Sequence, residues 1–227
     1  MASINAASTE FLSAVEPMAG IPDPGPWLEG LNRVNKCAKT LGACAQGAQP
    51  GELARVAGDL TAALSAPDPQ VGGEAAITLG VFIEYGLPPG IVGAALLQGF
   101  QRTLELLKVF TKRVRQEVPE TAEDAEPEEE AGGYWIEDRF VSPALAQKFW
   151  LQDRRLPQAH AALDNWCLPV VAALSRDRDL LQQAQMNKPL LDVVTELDIG
   201  FVRMLLRLLV RETLLVLHPI PARASRC

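Results

Sequence analysis

Leu60-Thr-Ala-Ala-Leu64-Ser-Ala-Pro67-Asp68-Pro69-Gln-Val71-Gly-Gly-Glu-Ala75-Ala76-Ile-Thr-Leu79-Gly80 sets the fold. On its N-terminal side Leu53, Val56, Leu60 and Leu64 recur at helical spacing and predict an amphipathic helix over 51–65. Pro67 and Pro69 stop it, because proline fixes φ and has no backbone N–H to donate. Val71, Ala75, Leu79 and Phe82 then predict a second helix from Gln70 to Tyr85. Gly86 follows where a helix end favours a left-handed residue. Two amphipathic helices joined by so short a turn lie antiparallel.

The same punctuation extends in both directions. Residues 28–45 carry Leu31, Val34, Ala38, Leu41 and Ala45 on one face, and residues 3–16 form a shorter helix. Between them Pro17, Pro22, Pro24 and Pro26 predict an extended arm anchored by Trp27. Pro88 and Pro89 open a helix to about Gln116, striped by Val92, Leu96, Phe100, Leu107, Phe110 and Val114. Lys108, Lys112, Arg113 and Arg115 crowd its C-terminal end, where cations complement the helix dipole. Ser142-Pro143 opens a helix through Leu145, Phe149 and Leu151 to about Arg155. Pro157 starts another over 158–175, carrying Ala161, Leu163, Trp166, Val170 and Leu174, which Pro169 should kink or split. A short helix covers about 177–187, and Pro189 opens the last, which runs to about Leu217 before Pro219 and Pro221.

The stretch Leu60 to Gly80 resembles the core of a HEAT-type helical repeat. Its first helix ends in a leucine pair, Asp-Pro makes the turn, and the second helix opens with valine and a small-residue pair. The resemblance covers residues 52–86, one repeat. It implies a right-handed helical solenoid used as a binding surface. Gly72 stands where the family's usual basic residue follows the valine, so a less regular polar ladder between repeats is expected. A weak internal echo links Leu60-Thr-Ala-Ala-Leu-Ser with Val170-Val-Ala-Ala-Leu-Ser. The expected fold class is all-α: stacked antiparallel helices, as an irregular HEAT-like α-solenoid or a helical bundle.

The net charge of −7 is concentrated in one place. Residues 117–133 hold eight acids and no base, which leaves 20 acids against 21 bases elsewhere. That segment, with Pro119, Pro127 and Gly132-Gly133 and no large apolar residue after Pro119, has the composition of disorder. The chain therefore divides into a Pro-rich N-terminal arm (1–26), a helical half (27–116), the acidic insertion (117–133), a second helical half packing on the first (134–218) and a tail (219–227). Neither half has the positive balance of a phosphate-backbone binder, so nucleic acid is not the expected partner. The acidic segment could link, could fold over a basic groove of the same molecule, or could meet a basic partner.

Membrane insertion is not expected. Tyr85 to Gln101 contains two prolines and four glycines, and Ile199 to Leu217 is interrupted by Arg203, Arg207, Arg211 and Glu212. The first residues carry no basic, apolar signal, so a cytoplasmic location is expected. Cys37, Cys44, Cys167 and Cys227 are scattered. On one helix Cys37 and Cys44 would lie about 10 Å apart along the axis, too far for a disulfide. No metal or cofactor motif is present.

On a single final helix Asp192, Glu196, Arg203, Arg207 and Arg211 would line one side. The three arginines could take an acidic partner or an anion through charge-assisted bonds, or could be the solvent edge of a buried helix. Arg154-Arg155 and Arg176-Asp177-Arg178 read as surface charge. Trp150 and Trp166, on consecutive helices, could stack on a ligand, pack on each other or fill the core. His160 and His218 have no nucleophile at a recognisable spacing, so no catalytic residue is assigned. Glu74 and Glu84 are expected on nearly opposite faces of their helix. Glycine pairs such as Gly72-Gly73 lack the context of a phosphate loop.

Taken together, these features lead to a non-catalytic adaptor or regulatory protein with a protein partner. A helical bundle binding a small apolar or anionic ligand is the alternative, and a nucleic-acid enzyme on a HEAT-like scaffold stands further off.

Overall fold

In the computed structural model, residues 3–120, 133–197 and 199–210 are described, and they are almost wholly helical. The helices are α1 (Ile4–Val15), α2 (Pro24–Ala45), α3 (Pro50–Ala63), α4 (Pro69–Glu84), α5 (Gly93–Glu117), α6 (Pro143–Asp153), α7 (Arg155–Ala161), α8 (Leu163–Arg176), α9 (Arg178–Met186), α10 (Lys188–Glu196) and α11 (Gly200–Leu209). The fold is all-α, built from stacked antiparallel helices. No helix among the described residues is long and apolar enough to cross a membrane.

Helices pack in pairs, α1 on α2, α3 on α4, α5 on α8 and α10 on α11, and the pairs stack into two layers. In one layer α2, α4 and α8 run parallel. Trp27, Asn35 and Gly42 of α2 meet Asp68, Glu74 and Val81 in the same order, while Gly73 and Gly80 of α4 meet Asn165 and Pro169 of α8. Helix α11 packs on α8 in that layer. In the other layer α1 packs on α3, and α10 runs parallel to α5, with Asn187 bonded to Gln101 and Glu196 paired with Lys108. One continuous buried cluster extends from Ile4 to Leu209 and joins both halves of the chain.

Asp68 links turn chemistry to packing. Its carboxylate caps α4 by accepting from the N–H groups of Gln70 and Val71, and also accepts from the Trp27 indole at 2.6 Å. At the other end of α4, Gly86 has φ 103, and the N–H groups of Gly86 and Leu87 return to the carbonyls of Ile83 and Phe82. This is the left-handed helix stop that glycine allows.

Several expectations need correction. Residues 17–26 are not an extended arm. Glu16–Gly20 form a 3-10 turn, and α2 starts at Pro24, because prolines in a first helical turn lack only donors that would have no partner there. Helix α1 belongs to the main core, with Phe11 fully buried. Pro88 and Pro89 do not open α5. Pro89–Ile91 make a 3-10 turn, and Val92, at φ −120, separates it from the helix.

The expected 158–175 helix breaks at Ala162 rather than at Pro169, which remains inside α8 against Gly80. Leu151 and Ala161, placed on buried stripes by the spacing, are exposed, Leu151 by 73%. The last helix is also split. Leu197 and Ile199 leave helical geometry, so α10 turns back on α5 and α11 on α8, burying an apolar stripe on each side.

An antiparallel β-hairpin, β1 (Tyr134–Ile136) and β2 (Arg139–Val141), was not expected. Glu137 turns it at φ 55 and accepts Arg115 at 2.9 Å. The hairpin, α6 and α7 gather a second small core around Phe110, Val114, Ile136, Val141, Phe149 and Leu156. Of the acidic insertion, Glu117 pairs with Lys148 and Glu120 with Arg139, each at 2.7 Å. The disorder expected for 117–133 falls mainly on 121–132, outside the described residues, as do the expected helix end at Leu217 and the tail 219–227.

Candidate functional site

The layer of α2, α4, α8 and α11 presents the most organised open face. Its centre is α4, whose residues are buried on nearly every side except at Gln70, Ile77, Val81 and Glu84. Glu74 accepts two hydrogen bonds on Oε1, from Asn35 of α2 at 3.2 Å and from Asn165 of α8 at 3.1 Å. These three residues form a polar row across three parallel helices. Glu74 retains only 7% exposure, and burial pushes its carboxyl above the usual range, opposed by the two amides and by the charge of Lys39.

Beyond this row the face becomes apolar. A cleft of about 440 Å³ opens between α4, α8 and α11, with Ile77, Val81, Leu168, Ala172 and Met204 among its walls and Glu84 and Arg176 also lining it. Its depth follows from small residues. Gly80 lies so close to Pro169 that an added Cβ would sit 2.8 Å from the ring, which lets α4 and α8 approach and leaves Ala172 as a low floor. Leu168 is 43% exposed at its edge. Glu74 and Glu84 are not on opposite faces. Ten residues of helix turn to within about 80° of whole turns, so both border the open edge of α4.

Of the residues singled out from sequence, Arg203 and Arg207 lie on α11 with exposed side chains, opposite buried Val202, Leu205 and Leu209. Arg207 follows Met204 by three residues, about one turn further along α11. Asp192 and Glu196 belong to α10, so the five-residue charged stripe is divided between helices, and Arg211 lies outside the described residues.

Trp150 and Trp166 take separate places. Trp150 is half-buried in an edge contact with Trp27 at 4.8 Å between ring centroids. Its indole N–H is buried without a hydrogen-bond partner among the described residues. Trp166 is 1% exposed and donates its indole N–H to the Pro69 carbonyl at 2.9 Å. The edge of Trp166 lines a second cleft of about 400 Å³ with Arg102, Glu105 and Arg155. Arg102 is held by the Leu64 carbonyl at 2.9 Å and Arg155 by Asp153 at 2.7 Å.

Asp68 is held above the usual carboxylate range by burial, against the opposing pull of the Trp27 indole, the two capping N–H groups and the charge of Arg154. His160 stacks on Tyr134 at 5.8 Å and meets the edge of Phe110. Burial lowers its pKa, opposed by Asp164. Burial raises Tyr134 to about 12 and pushes the Cys167 thiol well up, so neither is an activated group. Among the described residues no cluster of His, Cys, Asp and Glu is arranged to hold a metal ion.

Sequence reading missed the Asn35–Glu74–Asn165 row and the groove beside it. The available signal was the outward row on α4, where a glutamate is the single charge before Glu84 in an apolar helix. No family model, no curated protein and no solved structure matches this chain.

Proposed function

We propose that this protein is a non-catalytic helical adaptor or regulatory protein, built as a HEAT-like stack, whose α2/α4/α8/α11 face holds a protein partner. The observation that carries this reading is the apolar groove on the same face as a buried polar row, with Glu84 and Arg176 among its lining residues. An accessible apolar cleft rimmed by charge is the pattern of a protein-binding surface. The parallel succession of α2, α4 and α8 supports the solenoid reading, since stacked repeats place equivalent helices side by side. A cytoplasmic location fits the buried, reduced thiols of Cys37 and Cys167.

A second reading is a small anionic ligand in the Trp166 cleft, where Arg102 and Arg155 face apolar walls. Both arginines are already engaged, which weakens it.

Recovery of the tagged chain from its native source, followed by mass spectrometry of the intact assembly, separates the two. The adaptor reading expects a second polypeptide in stoichiometric amount, lost from Leu168→Glu but retained by an Arg102→Ala variant. Recovery of the chain alone with a co-purifying small molecule would overturn it.

A further inference from the structure

The hairpin and α6 stand apart from the main core. Their Ile136, Val141 and Phe149 pack with Phe110, Val114 and Val118 at the end of α5 and with Leu156 of α7, in the small second core, while the main cluster joins the rest of the chain. Strand β2 meets α5, and α6 packs chiefly on α7. The far end of this unit is fixed. Arg154, where α6 passes into α7, donates to the carbonyls of Ile21 and Ala19, and α7 itself packs on α4 and α5. Trp150, one turn earlier, leans on Trp27.

Three ion pairs close the seam between this unit and the end of α5. Arg115 binds Glu137 of the hairpin turn at 2.9 Å, Glu117 binds Lys148 of α6 at 2.7 Å, and Glu120 binds Arg139 of β2 at 2.7 Å. Arg139 also donates to the Val118 carbonyl at 2.8 Å. Each side of the seam contributes both signs, so the charges match in one register. The Arg115 and Lys148 side chains are half-exposed, so salt screens these attractions, whereas it leaves apolar packing of the main core in place. Tyr134 Oη is buried with no hydrogen-bond partner among the described residues, which further lowers the stability of the closed unit.

We propose that the hairpin and α6 form an ionic latch that opens from α5 as one unit about Arg154, without unfolding of the main core, and that ionic strength sets how often it opens. Opening bares the Phe110, Val114 and Val118 stripe at the end of α5. The groove beside α4 takes no part, so this device is independent of the adaptor reading.

Hydrogen exchange of the full chain, read by mass spectrometry on peptides from 134–153 and from α4, tests it. Between about 20 mM and about 500 mM sodium chloride the 134–153 peptides should exchange about threefold or more faster, while those from α4 keep their rate. Arg115→Glu should open the unit at both salt concentrations. Adding Glu137→Arg reverses the pair and should restore slow exchange at low salt. Lys108→Glu, which breaks the pair between α5 and α10, should leave 134–153 unaffected.

Exchange of 134–153 that tracks α4 at both salt concentrations would overturn the proposal, because the unit would then open only with the whole fold. So would exchange there that salt leaves unchanged, or an acceleration by salt that is uniform along the chain. A charge-reversed double variant as open as Arg115→Glu would likewise overturn it.

Discussion

Trp166 donates its indole N–H to the carbonyl of Pro69, 97 residues earlier in the chain, and its ring lies against Gly72 and Gly99. A Cβ added at Gly99 would sit 2.3 Å from the ring and one at Gly72 2.7 Å away, so both glycines are required by close approach rather than by backbone conformation. This one side chain joins α4, α5 and α8, and so couples the two helical halves. Gly99→Ala should destabilise the fold by about 1–3 kcal/mol, the range for overpacking a filled core. Urea unfolding checks this. In the Trp166→Phe background the same change should cost clearly less, because the two sites share one contact.

Helix positions were legible where proline and glycine punctuate apolar periodicity, as at Pro67, Pro69 and Gly86. The same signal misled at Pro24 and Pro26, because a proline-rich stretch and a proline-rich first helical turn have the same composition. Tyr134 to Val141 carries aromatic and β-branched residues around Glu137-Asp138 that favour a hairpin, a signal that helical periodicity does not register. The break at Leu197 to Ile199 falls beside Asp198 and Gly200, both poor helix formers, but a helix interior tolerates either at modest cost, and docking on α5 and α8 decides it. The candidate site depends on tertiary convergence. Asn35 and Asn165 lie 39 and 91 residues from Glu74, and nothing local announces that they meet.

Gly86 provides a backbone test. At φ 103 an alanine would meet strain although no neighbouring atom crowds it. Gly86→Ala should cost about 1–2 kcal/mol through conformation alone. Gly58, exposed within α3 and with nothing near its added Cβ, is the control: Gly58→Ala should be neutral or stabilising.

Glu74 gives a dependence on pH of definite sign. Its folded pKa is raised by burial above its ordinary 4.5, so its favourable contribution is complete below that value and is lost as pH rises through the raised one. Glu74→Gln keeps the bonds from Asn35 and Asn165 and removes the buried charge. The variant should therefore gain stability relative to wild type between pH 4 and pH 7. A constant difference across that range in urea melts would contradict the assignment.

His160 behaves in the opposite sense. Burial holds its folded pKa below 6.5, so its contribution is complete above 6.5 and falls as pH drops through that value toward the folded one. Tyr134 and Phe110, which flank the ring, supply no charge to offset protonation, and Asp164 only partly compensates. His160→Phe should flatten the loss of stability between pH 7.5 and pH 5.5, read by chemical denaturation of each protein at both values.

The central claim is that the face built by α2, α4, α8 and α11 holds a protein partner. Site-specific photo-crosslinking in the native source tests it most directly, with benzoylphenylalanine placed at Leu168 on the groove edge and, separately, at exposed Asp59 on α3. The account predicts one discrete protein adduct from position 168 and none from position 59. Equal labelling from both positions, or an adduct from position 59 alone, would contradict it.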